Sequence, residues 1–389
     1  MLPHNVRPGT ATPVGRLAFV HDHLAQRGGA ERVALSIAQA FSPVTVSTSI
    51  YAADLTYPEF KCIPIATSYP NAIPFVRRDP RRALLFMKSC FESLRFPDTD
   101  VVLCSSSGWS HFAAPSSPKV VYCHNPPRWL YQRESYVSSV GGIANAALGR
   151  YLEYLMKADR RSARGAAMYL VNSTAVRERV RRAYGIDASV LPPPVTLADD
   201  GPEEPLEGLE PGFFLTVGRS RGYKNTKSIV ESFIDRAGQT LVVVGAQTGL
   251  PRSNLGPRTG RVIRVGRVSD AVLRWLYRNC CGLVTMAEED FGLTPLEANA
   301  FGKPCIAIRA GGFIDTVIEG KTGLLVDGPR SLPAALDAVA VVTWDSDGLR
   351  AHAQRYNEKR FHLRLSEALI CAQNQTRLPW RYDPTIFPG

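Results

Sequence analysis

Short, almost continuously apolar runs alternate with amphipathic runs along most of this chain, and that alternation constrains its fold more than any other feature. The first series of short runs is LAFV, VTVST, VVLC, KVVYC and AMYLV; the second is FFLTV, TLVVV, VIRV, GLVT, CIAI and LLV. Strands that are apolar on both faces belong in sheets covered on both sides. Helical periodicities lie between them: Val33, Ile37 and Phe41 recur every four residues, and Leu273, Leu276 and Tyr277 share one helical face. Repeated strand–helix units imply parallel α/β sheets. The two series are separated by VLPPPVTLADDGPEEPLEGLEPG, which is dense in proline and acid and has no period, as a linker would be. The expected organisation is a flexible leader over 1–15, an N-terminal doubly wound domain over 16–191, a linker over 192–211, a C-terminal doubly wound domain over 212–370, and a tail over 371–389 that packs back on the N-terminal domain. Ligands of such sheets sit beyond the C-terminal strand ends. With two such domains, the cleft between them is the natural site.

At 389 residues the chain is long enough for two cores, and 45% hydrophobic with 21% charged residues is a globular composition. No apolar run reaches the length of a membrane span. MLPHNVRPGTATPVGR lacks the apolar centre of a secretory signal, so a cytoplasmic location is expected. The eight cysteines form no CxxC pair, and most lie in strand-like runs, as buried free thiols do. The net charge of +11 calls for an anionic partner: nucleic acid, an anionic membrane or an anionic substrate. One dense basic segment carries Arg77, Arg78, Arg81, Arg82, Lys88 and Arg95; DRRSARG and VRERVRRAYG follow downstream. Solvated helix faces and peripheral contact with a membrane both account for it. No nucleic-acid module is recognisable, so nucleic acid is not an expected partner.

Four segments carry chemistry. In FVHDHLAQRGGAERV a strand ends at Val20 and Gly28-Gly29 precede a helix, an arrangement that suits either a phosphate cradle or an ordinary strand–helix turn. GxGxxG is absent, so the dinucleotide fingerprint fails. His21 and His23, two apart on a strand end, point to opposite faces and do not share a metal. In VVYCHNPPRWLY, His124 follows a strand, where α/β proteins place working residues and where a structural histidine is equally at home. In FFLTVGRSRGYKNTKSIVESF, Arg219 and Lys224 lie in the turn after a strand; they fit a diphosphate or two solvated cations. AEEDFGLTPLEANAFGKP offers Glu288, Glu289, Asp290 and Glu297. Thr294 as N-cap, Pro295 at N1 and Glu297 at N3 spell a capping box, which gives Glu297 a structural employment; Glu289 stays in the loop, free to face a ligand. The acidic pairs at Asp98–Asp100 and around Asp345 are explained by turn chemistry, and no metal site is expected.

These four segments, in this order, resemble glycosyltransferase family 4, whose members are retaining enzymes of the GT-B fold with two Rossmann-like domains facing an interdomain cleft. The resemblance covers most of the chain, from LAFVHDHLAQRGGAERV to GGFIDTVIEGKTGLLVD, and its most specific element is E-x7-E, here Glu289 and Glu297. It implies a nucleotide-sugar donor held mainly by the C-terminal domain. Arg219 and Lys224 would bind the diphosphate, with the amides of Gly28 and Gly29 approaching it. Glu289 and the amides of Phe291, Gly292 and Leu293 would contact the sugar, Glu297 the ribose, and His124 the sugar near its reacting face. Arg267 and Val268 would lie near the base. No enzyme nucleophile or metal is implied. HNPPRWLY and HDHLAQRGGAERV are most similar to polysaccharide and O-antigen mannosyltransferases, which implies GDP-mannose as donor, with UDP-sugars as the alternative, and a glycan or lipid-linked acceptor. The basic segment Arg77–Arg95 matches the membrane-touching region of that family. Departures from the family pattern are Asp290 in place of a common glycine, the shifted proline of LTP, and Asp315 in place of glutamate. A fold retained as a non-catalytic binder is the rival from a different class; the intact Arg/Lys and Glu pairs argue against it.

Overall fold

The computed structural model describes residues 14–96, 98–131, 143–197, 199–218, 226–234, 236–245 and 260–380. They form two compact units, one comprising residues up to Pro192 together with the chain from Glu358, the other Pro193–Asn357.

The first unit holds strands β1 (Leu17–His21), β2 (Thr45–Thr48), β3 (Ile65–Thr67), β4 (Val101–Ser106), β5 (Lys119–Cys123), β6 (Met168–Val171) and β7 (Ser189–Val190). Their order is β3-β2-β1-β4-β5-β6-β7, with parallel pairing at each step. Alternate residues fill two cores, as the two-faced apolar runs require: Ala18, Val20, Val102 and Cys104 on one side, Leu17, Phe19, Leu103 and Tyr122 on the other. Winding reverses between β1 and β4, the topological switch point of such a sheet. Register sets His21 opposite Ser105 and Ser106 opposite Cys123, so three strand ends lie level there.

Buried polar groups stiffen this edge. Asp22 accepts backbone N–H bonds from Ser107 (2.6 Å), Trp109 (3.2 Å) and Ser110 (2.6 Å). Burial raises its carboxyl above the usual range, and the amides of Ser110 and Ser107 oppose that. His111 lies between Ser106 Oγ (3.0 Å from Nδ1) and Asp159 Oδ1 (2.7 Å from Nε2), and Tyr131 donates to Asp159 Oδ2 at 2.8 Å. Ser106, His111 and Asp159 are buried, so this set clamps the helix Ile143–Arg164 to the sheet.

The second unit holds β8 (Phe213–Val217), β9 (Thr240–Val244), β10 (Arg261–Val265), β11 (Cys280–Thr285), β12 (Cys305–Ile308) and β13 (Gly323–Val326), ordered β10-β9-β8-β11-β12-β13. Here the reversal falls between β8 and β11.

Two expected boundaries move. The expected linker 192–211 belongs to the second unit from Pro193 on: Leu197 and Leu209 are in its core, and Val195 N donates to Tyr356 O at 2.8 Å. Its prolines stop helices and strands but do not prevent burial. The C-terminal domain ends at 357 instead of 370. The helix Glu358–Gln373 belongs to the first unit, where Phe361, Leu365 and Leu369 pack with Phe19, Leu103 and Tyr122. Ser36 Oγ donates to Glu358 Oε1 at 2.5 Å and lies 2.8 Å from His362 Nε2. An apolar stripe announces a helix that must be covered; it does not say by which sheet.

Asp345 does what a turn requires and caps the helix Ser346–Gln354 through the amides of Asp347 and Gly348; Asp100 Oδ2 accepts from Arg16 N at 2.7 Å, 84 residues earlier in the chain, a contact made by the fold and not by its own turn. Among the described residues no helix is long and apolar enough to cross a membrane, and no three His, Cys, Asp or Glu side chains converge as metal ligands would.

Candidate functional site

In the first unit the candidate residues gather at the β1/β4 reversal. His21 ends β1, Ser105 is the penultimate residue of β4, and His124 directly follows β5. His21 Nδ1 is 3.0 Å from Ser105 Oγ, and Ser105 Oγ is 2.8 Å from His124 Nε2. His124 is buried, its ring edge-on to Tyr122 at 5.2 Å between centroids. Its amide donates to Ser106 O at 2.7 Å, and Asn172 Nδ2 donates to its carbonyl at 3.1 Å. Burial, then the neighbouring His124 and His23, hold the His21 pKa well below its ordinary 6.5. His23 points elsewhere, 3.9 Å from Glu31 Oε1.

Gly28 is the N-cap of the helix Gly29–Phe41 in extended backbone, and its carbonyl accepts from Arg32 N at 2.9 Å. Gly28 is buried and Gly29 exposed. Glu31, buried in the first turn and hydrogen-bonded by Gln26 Nε2 at 2.7 Å, offsets part of the positive end of this helix.

In the second unit the C-terminal ends of β8, β9 and β11 border a small depression open to solvent, lined by Thr216, Val217, Gly218, Thr226, Val243, Val244, Thr285 and Ala287. It lies at the switch point, where doubly wound sheets bind ligands. The loop from β11 carries Glu288, which is exposed, and Glu289 and Asp290, which are half-buried. The loop is shaped by backbone. Gly312 N donates to Glu289 O at 3.0 Å, and a Cβ on Gly312 would overlap the backbone of Phe291. The Phe291 ring is buried, 5.9 Å from the Tyr356 ring, so this residue offers a ligand its backbone only.

The helix that follows is Leu293–Ala300, and its N-cap is Gly292, at φ 88° and ψ 71°. A side chain there would be strained by the left-handed backbone and would overlap the Phe313 ring. The expected capping box is therefore not formed: Thr294 and Pro295 lie inside the helix, and Glu297 is beyond the first turn. Glu297 instead accepts a hydrogen bond from Tyr277 at 2.7 Å to Oε2. Burial and then Glu297 push the Tyr277 hydroxyl well above its usual pKa, so it stays protonated and donates.

Arg267 and Val268 follow β10, the edge strand; Arg267 is exposed and the Val268 side chain packs on the core, leaving its backbone for any ligand. Arg219 and Lys224 lie outside the described residues. Sequence reasoning missed Ser105, Tyr277 and the supporting role of Gly312. The strand-end rule that singled out His124 reaches Ser105 equally well; no sequence signal joins Tyr277 to Glu297.

Two parallel sheets, each with a reversal flanked by these side chains, define a class, and comparison with solved structures agrees. The chain has the GT-B fold of glycosyltransferases: HepE of Anabaena, solved with UDP-glucose, superposes with a TM-score of 0.63 at 17% identity over 91% of this chain and 99% of that one. Sucrose-phosphate synthase of Thermosynechococcus elongatus gives 0.66 at 19% identity over 90% and 97%. Residues 27–199 match the family model for glycosyltransferase family 4, and residues 200–360 that for glycosyl transferases group 1. The chain belongs to glycosyltransferase family 4. Among curated relatives, the alpha-1,3/1,6-mannosyltransferase ALG2 of Dictyostelium discoideum is 47% identical over 66 residues, 17% of this chain and 16% of that protein. The lipopolysaccharide core mannosyltransferase LpsB of Rhizobium meliloti is 31% identical over 185 residues, 43% and 51%. A D-inositol 3-phosphate glycosyltransferase of Jonesia denitrificans is 26% identical over 217 residues, 50% and 51%. The matches thus span about half or less of these relatives' own length.

Proposed function

We propose that this chain is a retaining hexosyltransferase that moves mannose from GDP-mannose to a glycan or lipid-linked acceptor. The observation that carries the reading is the Glu289–Glu297 arc at the β8/β11 reversal, with one carboxylate on a loop held by Gly312 and the other anchored by Tyr277. Glu289 holds hydroxyls of the transferred sugar and Glu297 those of the ribose. Neither acts as a general acid or base. The acceptor hydroxyl attacks the anomeric carbon on the face of the departing diphosphate, the bond from that carbon to the phosphate oxygen breaks, and the acceptor proton passes to a diphosphate oxygen. Arg219 and Lys224 balance the charge that develops there, which is the work a metal would otherwise do, so no metal is required. Orientation and charge stabilisation supply the rate. The mannosyltransferase names of ALG2 and LpsB support the choice of sugar. The UDP-glucose held by HepE favours a second reading, a UDP-sugar donor.

A donor panel tests this directly: purified protein with GDP-mannose, UDP-glucose, UDP-galactose, UDP-N-acetylglucosamine and dTDP-rhamnose, scored by transfer, hydrolysis and thermal shift. Turnover of GDP-mannose alone is expected; turnover of a UDP-sugar alone selects the second reading, and none with any donor sinks both.

The lipid-linked acceptor has its own support. Seven of the thirteen exposed large apolar side chains among the described residues are Tyr69, Ile73, Phe75, Leu85, Phe86, Tyr151 and Tyr154. Among them Tyr151 donates to Leu85 O at 2.7 Å and stacks on Tyr154, while Arg82 and Lys88 lie over Phe75 and Tyr154. Apolar side chains interleaved with cations suit the boundary of an anionic bilayer.

A further inference from the structure

We propose that His352 and Tyr356 are positioning residues for Glu289: they cap the turn Phe313–Thr316 from behind, and that turn holds the loop on which Glu289 is carried. The brace stands on geometry; its catalytic consequence rests on the reading above, in which Glu289 holds the transferred sugar.

The helix Phe313–Thr316 is a single turn of four residues. So short a helix does not stand on its own hydrogen bonds. Yet the loop of Glu289 leans on it. Gly312, directly before the turn, donates its amide to Glu289 O at 3.0 Å. A Cβ on Gly311 would overlap that same carbonyl, and one on Gly312 would overlap the Phe291 backbone. Backbone packed this closely transmits any shift of the turn to the loop.

The last carbonyls of a helix have no partner within it. Here two of them belong to Asp315 and Thr316, both buried, so their partners must come from the protein. Tyr356 donates its hydroxyl to Asp315 O at 3.0 Å, and His352 Nε2 is 3.0 Å from Thr316 O. A carbonyl oxygen only accepts, so His352 carries a proton on Nε2. Its Nδ1 is buried without a hydrogen-bond partner among the described residues, a place for a lone pair and not for a second proton.

The two donors stand on one support. His352 is in the helix Ser346–Gln354, Tyr356 follows two residues beyond its end, and their rings meet edge-on at 5.5 Å between centroids. Ser346 Oγ donates to Gly302 O at 3.2 Å, just past the helix Leu293–Ala300. Leu349 and Ala353 are buried, and the Tyr356 ring packs with Phe291 and Leu296. The ring thus holds the loop from its apolar side while the hydroxyl holds the turn that the loop leans on.

Peptide-resolved hydrogen exchange on the full-length protein tests the brace, in Tyr356→Phe, His352→Phe and His352→Gln. Both phenylalanine variants keep an aromatic ring and remove the donor; the glutamine amide returns an N–H toward the place of Nε2. Exchange over residues 309–318 is expected to rise about tenfold in each phenylalanine variant, with β11 and β12 unchanged, and to return toward the wild type in His352→Gln. Unchanged exchange over 309–318 in either phenylalanine variant overturns the brace. So does a rise shared equally by β11 and β12, which is a loss of global stability. With the preferred donor, Tyr356→Phe should lose about tenfold in kcat while affinity for the free nucleoside diphosphate stays within about twofold, because Glu289 meets the sugar and not the nucleotide. Faster local exchange with an unaltered kcat, or an equal loss of nucleotide affinity, overturns the positioning role. Exchange is read whether or not any donor turns over, so the brace and the proposed activity fail separately.

Discussion

At the β1/β4 reversal the first sheet ends in side chains, with two buried histidines wired through Ser105. At the β8/β11 reversal the second sheet ends in backbone: a loop docked on Gly312, a left-handed Gly292, and carboxylates carried on both. The winding is the same, 3-2-1-4 in each. A sheet that ends in side chains spends burial to fix one polar group. One that ends in backbone uses the absence of Cβ to set amides and carbonyls close together. The first should therefore tolerate shape changes and be sensitive to hydrogen-bond chemistry. The second should show the reverse.

Gly312→Ala is the hardest test of that contrast. Its Cβ would fall on the Phe291 backbone, and the expected cost is about 3 kcal/mol, read by denaturant unfolding. An unfolding midpoint like the wild type would mean that the loop is not held by this contact. Glu289→Ala comes next. It should keep the melting temperature and lose about a hundredfold in kcat; turnover near the wild-type rate would end the role given to this carboxylate. Tyr277→Phe should weaken donor binding about tenfold by calorimetry while leaving kcat alone, since it removes one hydrogen bond that orients Glu297 and keeps the carboxylate. An unchanged affinity would return Glu297 to a purely structural part.

The first unit is probed by protons. His21 is depressed below 6.5 by burial, so folding favours its neutral form. Its contribution to stability is complete above about pH 6.5 and is lost as the pH falls toward the lowered value, because the unfolded chain then binds the extra proton. Its ring C–H resonances should stay fixed between pH 8 and 6.5; a titration near 6.5 would show that the ring is open to water. The smallest effect concerns thiols. Burial raises Cys104 and Cys280 to about 12, whereas Cys62 is exposed, so a thiol reagent should label Cys62 first in the native protein. Early labelling of Cys104 would break the account of a closed first core.

Much of the candidate site was legible before any coordinates. His124 stands out because it follows an apolar strand, and the Glu289–Glu297 pair because its E-x7-E spacing resembles that of the family. What those residues touch was not legible. Local spacing places Glu297 in a capping box, yet the cap is Gly292 and the carboxylate accepts a hydrogen bond from Tyr277, 20 residues earlier. His21 and Ser105 are 84 positions apart and meet only because β1 and β4 pair in that register.

The sequence by itself determined the alternation of strand and helix, the burial of both sheet faces and the division into two windings, because burial of a face is written in local periodicity. Only the tertiary structure decided that the segment from Pro193 packs within the second unit and that Glu358–Gln373 covers the first sheet. Those outcomes depend on partners far apart in the chain. A buried stripe, a proline-rich segment or an imidazole states only that it needs a partner, and register and packing choose it.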